Sequence, residues 1–243
     1  MKPILILKMG PTIPHLARRR GEFDDWIAAP IKEQGMSVTV VAPYTGDKLP
    51  RPESYTGVVI SGSHAFVTDM EPWSKKVAKW IPDVIAAEIP LLGICYGHQL
   101  MALALGGTVA NSPVGIEMGT VEIQLTEHTS DDPLFNGLSG TFKAHVSHAQ
   151  SAETLPSDAV VLAYNQAEPH QAFAVGQFAW GLQFHPEFDA DIMRAYVVEF
   201  SPQLKNFGYD PNAMQQMIAE TPFSRQILER FAQIAKKQAD MAP

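Results

Sequence analysis

The chain has 243 residues, 46% hydrophobic and 18% charged, with a formal net charge of −8. That composition suits a folded globule with one sizeable core and excludes a disordered chain, while the acidic balance argues against nucleic acid as a partner. No segment approaches the roughly 20 apolar residues of a membrane helix, and the single cysteine, Cys95, rules out an internal disulfide and fits a reducing cytoplasm.

Residues 4–8 form an apolar run too short for a secretory core and read as a buried first strand. Arg18-Arg19-Arg20 is followed at once by Glu22, Asp24 and Asp25 and reads as a solvated loop or a local anion contact. Residues 22–34 place Phe23, Trp26, Ile27 and Ile31 on one helical face, with Gly35 as the stop. Residues 37–42 form a β-branched strand, and residues 57–60 another, ending in Ser61-Gly62-Ser63. Pro72 opens a helix expected to bury Trp73, Val77 and Trp80, and Pro82 should kink or split it. Residues 90–94 are an apolar strand, and residues 97–105 a helix closed by Gly106-Gly107. This βαβαβ order implies a parallel sheet covered on both faces.

Beyond residue 120 the pattern changes. Residues 120–126, 141–146, 159–164, 171–175 and 178–184 are short strands separated by turns, expected to add to the sheet in antiparallel fashion. Helices follow at 189–200 and 222–237, the second with Phe223, Ile227, Leu228, Phe231 and Ile234 at helical spacing. With no internal repeat and no low-complexity linker, the chain reads as a single domain over 1–243. Its core covers about 1–200 and a C-terminal helical extension about 201–243. The fold class is α/β, a three-layer sandwich whose site lies at the C-terminal ends of the parallel strands.

The most informative segment is Gly93-Ile94-Cys95-Tyr96-Gly97-His98-Gln99, between a buried strand and a helix. A lone cysteine is most often a small buried hydrophobe. Flanking glycines at a strand–turn–helix junction instead suit a nucleophile on a tight turn, with the helix N-terminus directed at the sulfur. The amide of Tyr96 would face the same space and hold an oxyanion. Such a nucleophile needs a base and an orienting carboxylate. His185 follows the strand 178–184, Pro186 stiffens the turn after it, and Glu187 lies two residues on. His64 and His98 read as a loop residue and a packing residue. His145 and His148 lack a third ligand at convincing spacing, so no metal and no cofactor are expected.

On Gly93-Ile94-Cys95-Tyr96-Gly97-His98-Gln99, Phe184-His185-Pro186-Glu187-Phe188 and Ser61-Gly62-Ser63, the chain resembles the class I, triad-type glutamine amidotransferases. Within that family it is similar to stand-alone relatives of the GMP synthetase glutaminase domain. The resemblance implies a flavodoxin-like glutamine amidotransferase fold, with a mostly parallel central sheet and added antiparallel strands. It implies Cys95, His185 and Glu187 as the catalytic triad. It also implies an oxyanion site at Gly62, Ser63 and Tyr96, and substrate contacts from Gln99, Ser147 and His148. The implied reaction is hydrolysis of the glutamine side-chain amide through a cysteinyl γ-glutamyl thioester. A γ-glutamyl peptide or conjugate hydrolase and a partner-dependent amidotransferase subunit are the alternatives. The expected partners are a small-molecule substrate, a separate synthetase chain that takes the ammonia, and a second copy of the chain, with no membrane. The chain departs from the family at Gln150, where Ser147-His148-Ala149-Gln150 stands in place of the frequent Ser-His-x-Asp.

Overall fold

The protein is described by a computed structural model covering residues 2–138 and 140–241. Four short strands of consecutive apolar residues build the centre: β1 (Ile4–Leu7), β3 (Gly57–Ile60), β4 (Leu91–Ile94) and β11 (Ala179–Leu182), every residue of them buried. Strands covered on both faces need apolar side chains at every position, which is why no alternation is visible in them. With β2 (Val38–Val41) they run parallel in the order β2-β1-β3-β4-β11. The sheet continues antiparallel through β10 (Ala172–Val175), β9 (Ala159–Tyr164), β6 (Glu117–Leu125) and β7 (Thr141–His148), to nine strands. A separate two-stranded sheet pairs β5 (Thr108–Asn111) with β8 (Gln150–Thr154).

The period of two along β1 sorts its side chains between the layers. Ile4 and Ile6 join the cluster formed with Ile27 and Ile31 of α2 (Phe23–Glu33) and Ile227, Leu228 and Phe231 of α8 (Pro222–Met241). Leu5 and Leu7 join the opposite cluster, with Val77 and Ile81 of α3 (Pro72–Ala86) and Leu100 and Met101 of α4 (Tyr96–Ala104). A third cluster gathers Leu16 of α1 (Pro14–Arg20), Phe23, Trp26 and Phe188 with Tyr196 of α5 (Ala190–Glu199), Leu204 of α6 (Ser201–Asn206), and Ile218 just past α7 (Pro211–Met217).

Several local expectations need correction. α3 is continuous through Pro82, and α2 likewise contains Pro30. Each proline removes one backbone donor, and burial on both sides of Pro82, by Val77, Trp80, Ile81 and Val84, holds the helix together. Trp73 is only partly buried and stacks on Tyr96 at 5.7 Å, while Phe223 is 43% exposed at the start of α8. Arg18-Arg19-Arg20 is the last turn of α1 and not a loop. The anion contact does form: Arg19 meets Asp191, and Arg20 meets both Asp189 and Asp191, tying α1 to the start of α5.

Candidate active site

Cys95 is the junction between β4 and α4, with φ 50° and ψ −98°. An L residue is strained there, and the surroundings show what enforces it. A Cβ on Gly97 would stand 2.4 Å from the Ile60 carbonyl oxygen, and one on Gly93 would stand 2.6 Å from the Gly97 backbone. The turn is therefore pressed against the tip of β3 more closely than any other residue pair would allow. Tyr96 opens α4, so its N–H lies among the helix-start donors without an intrahelical acceptor.

The Cys95 N–H donates to the Leu182 carbonyl at 2.7 Å, which locks this turn to the end of β11. Three residues on, the His185 N–H donates to the His145 carbonyl at 2.8 Å, which fixes the backbone that presents the imidazole. The ring is held at Nδ1, 2.8 Å from Glu187 Oε1, and Cys95 is close enough to act on its charge. Phe188 stacks on it at 4.1 Å, with Phe23 beyond in a near-parallel plane. Burial of His185 works against its charge. The Glu187 carboxylate and the Cys95 sulfur outweigh it and raise the imidazole to about 10. The Glu187 side chain is fully buried, and its Oε2 has no hydrogen-bond partner among the described residues.

Gly62, past the tip of β3, faces the same point: a Cβ there would come 3.0 Å from His185 Cε1 and 3.7 Å from Cys95 Cβ. A cavity of about 300 Å³ opens over the sulfur, lined among others by Ser63, Tyr96, Gln99, Ser147 and His148. The Cys95 Sγ lies 3.7 Å from the Ser147 carbonyl oxygen. Every residue expected at the site is thus brought to one place. Two carry bonds that limit their freedom. Gln99 spends its Nε2 on the Gln150 carbonyl at 2.8 Å and on Gln183 Oε1 at 3.0 Å. His148 is bonded at both nitrogens, Nδ1 to the Gln150 carbonyl at 3.0 Å and Nε2 to Glu117 Oε2 at 2.8 Å.

Other wall residues were not singled out from sequence. Ile116, Met118, Phe200 and Gln203 line the cavity, and Glu117 supports it from behind. His64 lies in the wall and is no bland loop residue. Its Nε2 is 3.2 Å from the Tyr196 hydroxyl, and burial together with the His185 charge lowers its pKa. His98 is packing, as expected, set against Phe173 at 4.9 Å and lowered to about 3 by burial.

Residues 20–200 match the family described as glutamine amidotransferase class-I. The chain is 34% identical over 171 residues to a glutamine-hydrolysing GMP synthase of Aeropyrum pernix, covering 69% of this chain and 31% of that protein. It is 30% identical over 196 residues to the corresponding protein of Borreliella burgdorferi, covering 79% and 37%. The chain thus spans about a third of the length of the curated relatives it matches. Among solved structures, a glutamine amidotransferase of Thermotoga maritima superposes over 100% of both chains with a TM-score of 0.72 at 22% identity. One from Methylobacillus flagellatus covers 98% of this chain and 94% of its own, with a TM-score of 0.72 at 24% identity.

Proposed function

The chain belongs to the class-I glutamine amidotransferase family, and from that premise we propose that it hydrolyses the side-chain amide of glutamine through a thioester on Cys95. The observation that carries this is a strained cysteine set beside a stacked imidazole, both close to Gly62, with a buried carboxylate on the far nitrogen of the ring. The Cys95 thiol passes its proton to His185 as Sγ attacks the amide carbon, and an S–C bond forms. N–H groups at Gly62 or Ser63 and at Tyr96 hold the oxyanion. His185 gives its proton to the amide nitrogen, the C–N bond breaks, and ammonia leaves. Water then bonds to the acyl carbon as His185 takes its proton. The S–C bond breaks, glutamate leaves, and the proton returns to the sulfur. Glu187 holds Nδ1–H and balances the imidazolium throughout. Gln99, Ser147 and His148 line the substrate's path.

The short span relative to the curated GMP synthases supports a division of labour, in which ammonia is consumed by synthetase chemistry outside the residues described. A γ-glutamyl peptide or conjugate hydrolase is the second candidate, supported by the half-exposed Phe66 at the cavity mouth, which gives a larger leaving group an apolar surface. The test is ammonia release from glutamine set against cleavage of γ-glutamyl dipeptides, together with mass spectrometry after incubation with a γ-glutamyl electrophile. The expected result is an adduct on Cys95 that is absent from Cys95→Ala. An unmodified thiol in a folded, electrophile-treated protein would sink the mechanism.

A further inference from the structure

The cavity wall offers an ammonium group no carboxylate. No Asp, Glu, Lys or Arg lines it among the described residues. The nearest carboxylate with a link to the wall is Glu117, and its oxygens are already engaged by His148, Asn165 and Gln171. His148 has both ring nitrogens occupied, and His64 Nε2 is engaged by the Tyr196 hydroxyl. At Gln150 the wall is an amide whose orientation is set from outside the cavity. Its Nε2 donates to Thr68 Oγ1 at 2.7 Å and to Asn111 Oδ1 at 3.0 Å. Its Oε1 has only a long 3.5 Å contact with the Thr68 N–H, which leaves it as a neutral acceptor. An ammonium brought against such a wall trades water for uncompensated dipoles, whereas an acylated or absent amine does not.

We propose that this site selects its substrate by the terminal carboxamide and not by an α-ammonium group. Gln150 is the specificity-determining residue, and the substrate class is ω-carboxamides whose α-nitrogen is absent or acylated as well as glutamine itself. The proposal rests on the thiol amidase reading above and names the substrate range of that same site. Gln150 also clasps the 67–69 turn to β5, so its test must separate specificity from scaffolding.

The probe is glutaramate, which is glutamine without its α-amino group. Wild-type kcat/KM for glutaramate is expected within about tenfold of that for glutamine, and a preference for glutamine beyond about a hundredfold overturns the proposal. Gln150→Glu is nearly isosteric and supplies the missing carboxylate. It should lower KM for glutamine about tenfold and leave KM for glutaramate unchanged or higher. Equal shifts for both compounds would reduce Gln150 to a clasp and overturn its assignment. Protection of Cys95 from iodoacetamide reads occupancy without turnover. If neither compound is hydrolysed but both protect equally, the hydrolytic mechanism falls and the selectivity stands. Protection by glutamine alone, or by neither, overturns the selectivity. The wild-type comparison needs no variant, so a misfolded Gln150→Glu does not shield the proposal.

Discussion

At Cys95 one residue combines a reactive sulfur with a backbone that costs an L side chain about 1–3 kcal/mol. The two properties separate by substitution. Cys95→Ala keeps the strain and should abolish hydrolysis with little change in stability. Cys95→Gly should be equally inactive yet about 1 kcal/mol more stable than Cys95→Ala, because relief of strain exceeds the extra chain entropy of glycine. Urea denaturation of the pair checks this, and equal midpoints would mean that the turn stores no strain. His185 and Glu187 give a pH signature. Burial opposes charge on His185, but Glu187 and Cys95 raise its pKa above the ordinary value of 6.5. A raised folded-state value means stability that is full below the unfolded pKa and lost as pH climbs through the folded one. In the wild-type protein, where both groups act on the ring, Tm should fall as pH rises above about 6.5, and Glu187→Gln should flatten that fall. A Glu187→Gln profile parallel to its parent would remove Glu187 as the partner of the ring. In the wild-type background the same change should lower kcat less than His185→Ala does, since Pro186 and the Phe188 stack still hold the ring.

Among the elements, the elbow between β4 and α4 tolerates least. Gly97→Ala would push a methyl group to 2.4 Å from the Ile60 carbonyl, a backbone atom in the middle of the sheet that cannot turn aside. A loss of about 3 kcal/mol or more is expected, read from the urea midpoint, against almost none for Gly140→Ala, where nothing lies within 4 Å and φ is not left-handed. The same contrast explains what was legible beforehand. β1, β3, β4 and β11 are doubly covered and continuously apolar, so each showed plainly in sequence, as did the Gly-x-Cys-x-Gly turn that two of them serve. β5 and β8 did not show, because they are short, largely polar and held by each other. α6 and α7 are also short and carry proline in the first turn, which reads as a loop. The support of His148 by Glu117 depends on the β6–β7 register, which sets the two residues opposite each other. Placing the start of β6 at residue 120 hid that pairing, along with the wall residues Ile116 and Met118.

Across the whole molecule, the last forty-odd residues divide between two tasks, one at the cavity wall and one in the core. The α5–α6 junction supplies Phe200 to the cavity wall, packed edge-on to His64 at 5.7 Å and tilted against Tyr196 at 5.9 Å. α8 packs on the sheet, where Ile227, Leu228, Phe231 and Ala235 share one cluster with β1, β4, β11 and Cys95. Phe231 is fully buried, with its ring edge-on to Trp180 at 6.4 Å and close under Gly57. Truncation at these two positions should therefore give opposite signatures. Phe200→Ala removes a partly exposed wall residue, so KM should rise several-fold while Tm stays near wild type. Phe231→Ala leaves a cavity that the strands on one side and the helix on the other cannot close. It should cost about 3–5 kcal/mol of unfolding free energy. Turnover per folded molecule should be unchanged, since Phe231 does not line the cavity. Kinetics at low temperature alongside urea titration of both variants would test the division. A Phe231→Ala protein that lost kcat while remaining folded would mean that α8 shapes the site through the core cluster it shares with Cys95, and the two tasks would then have to be treated as coupled.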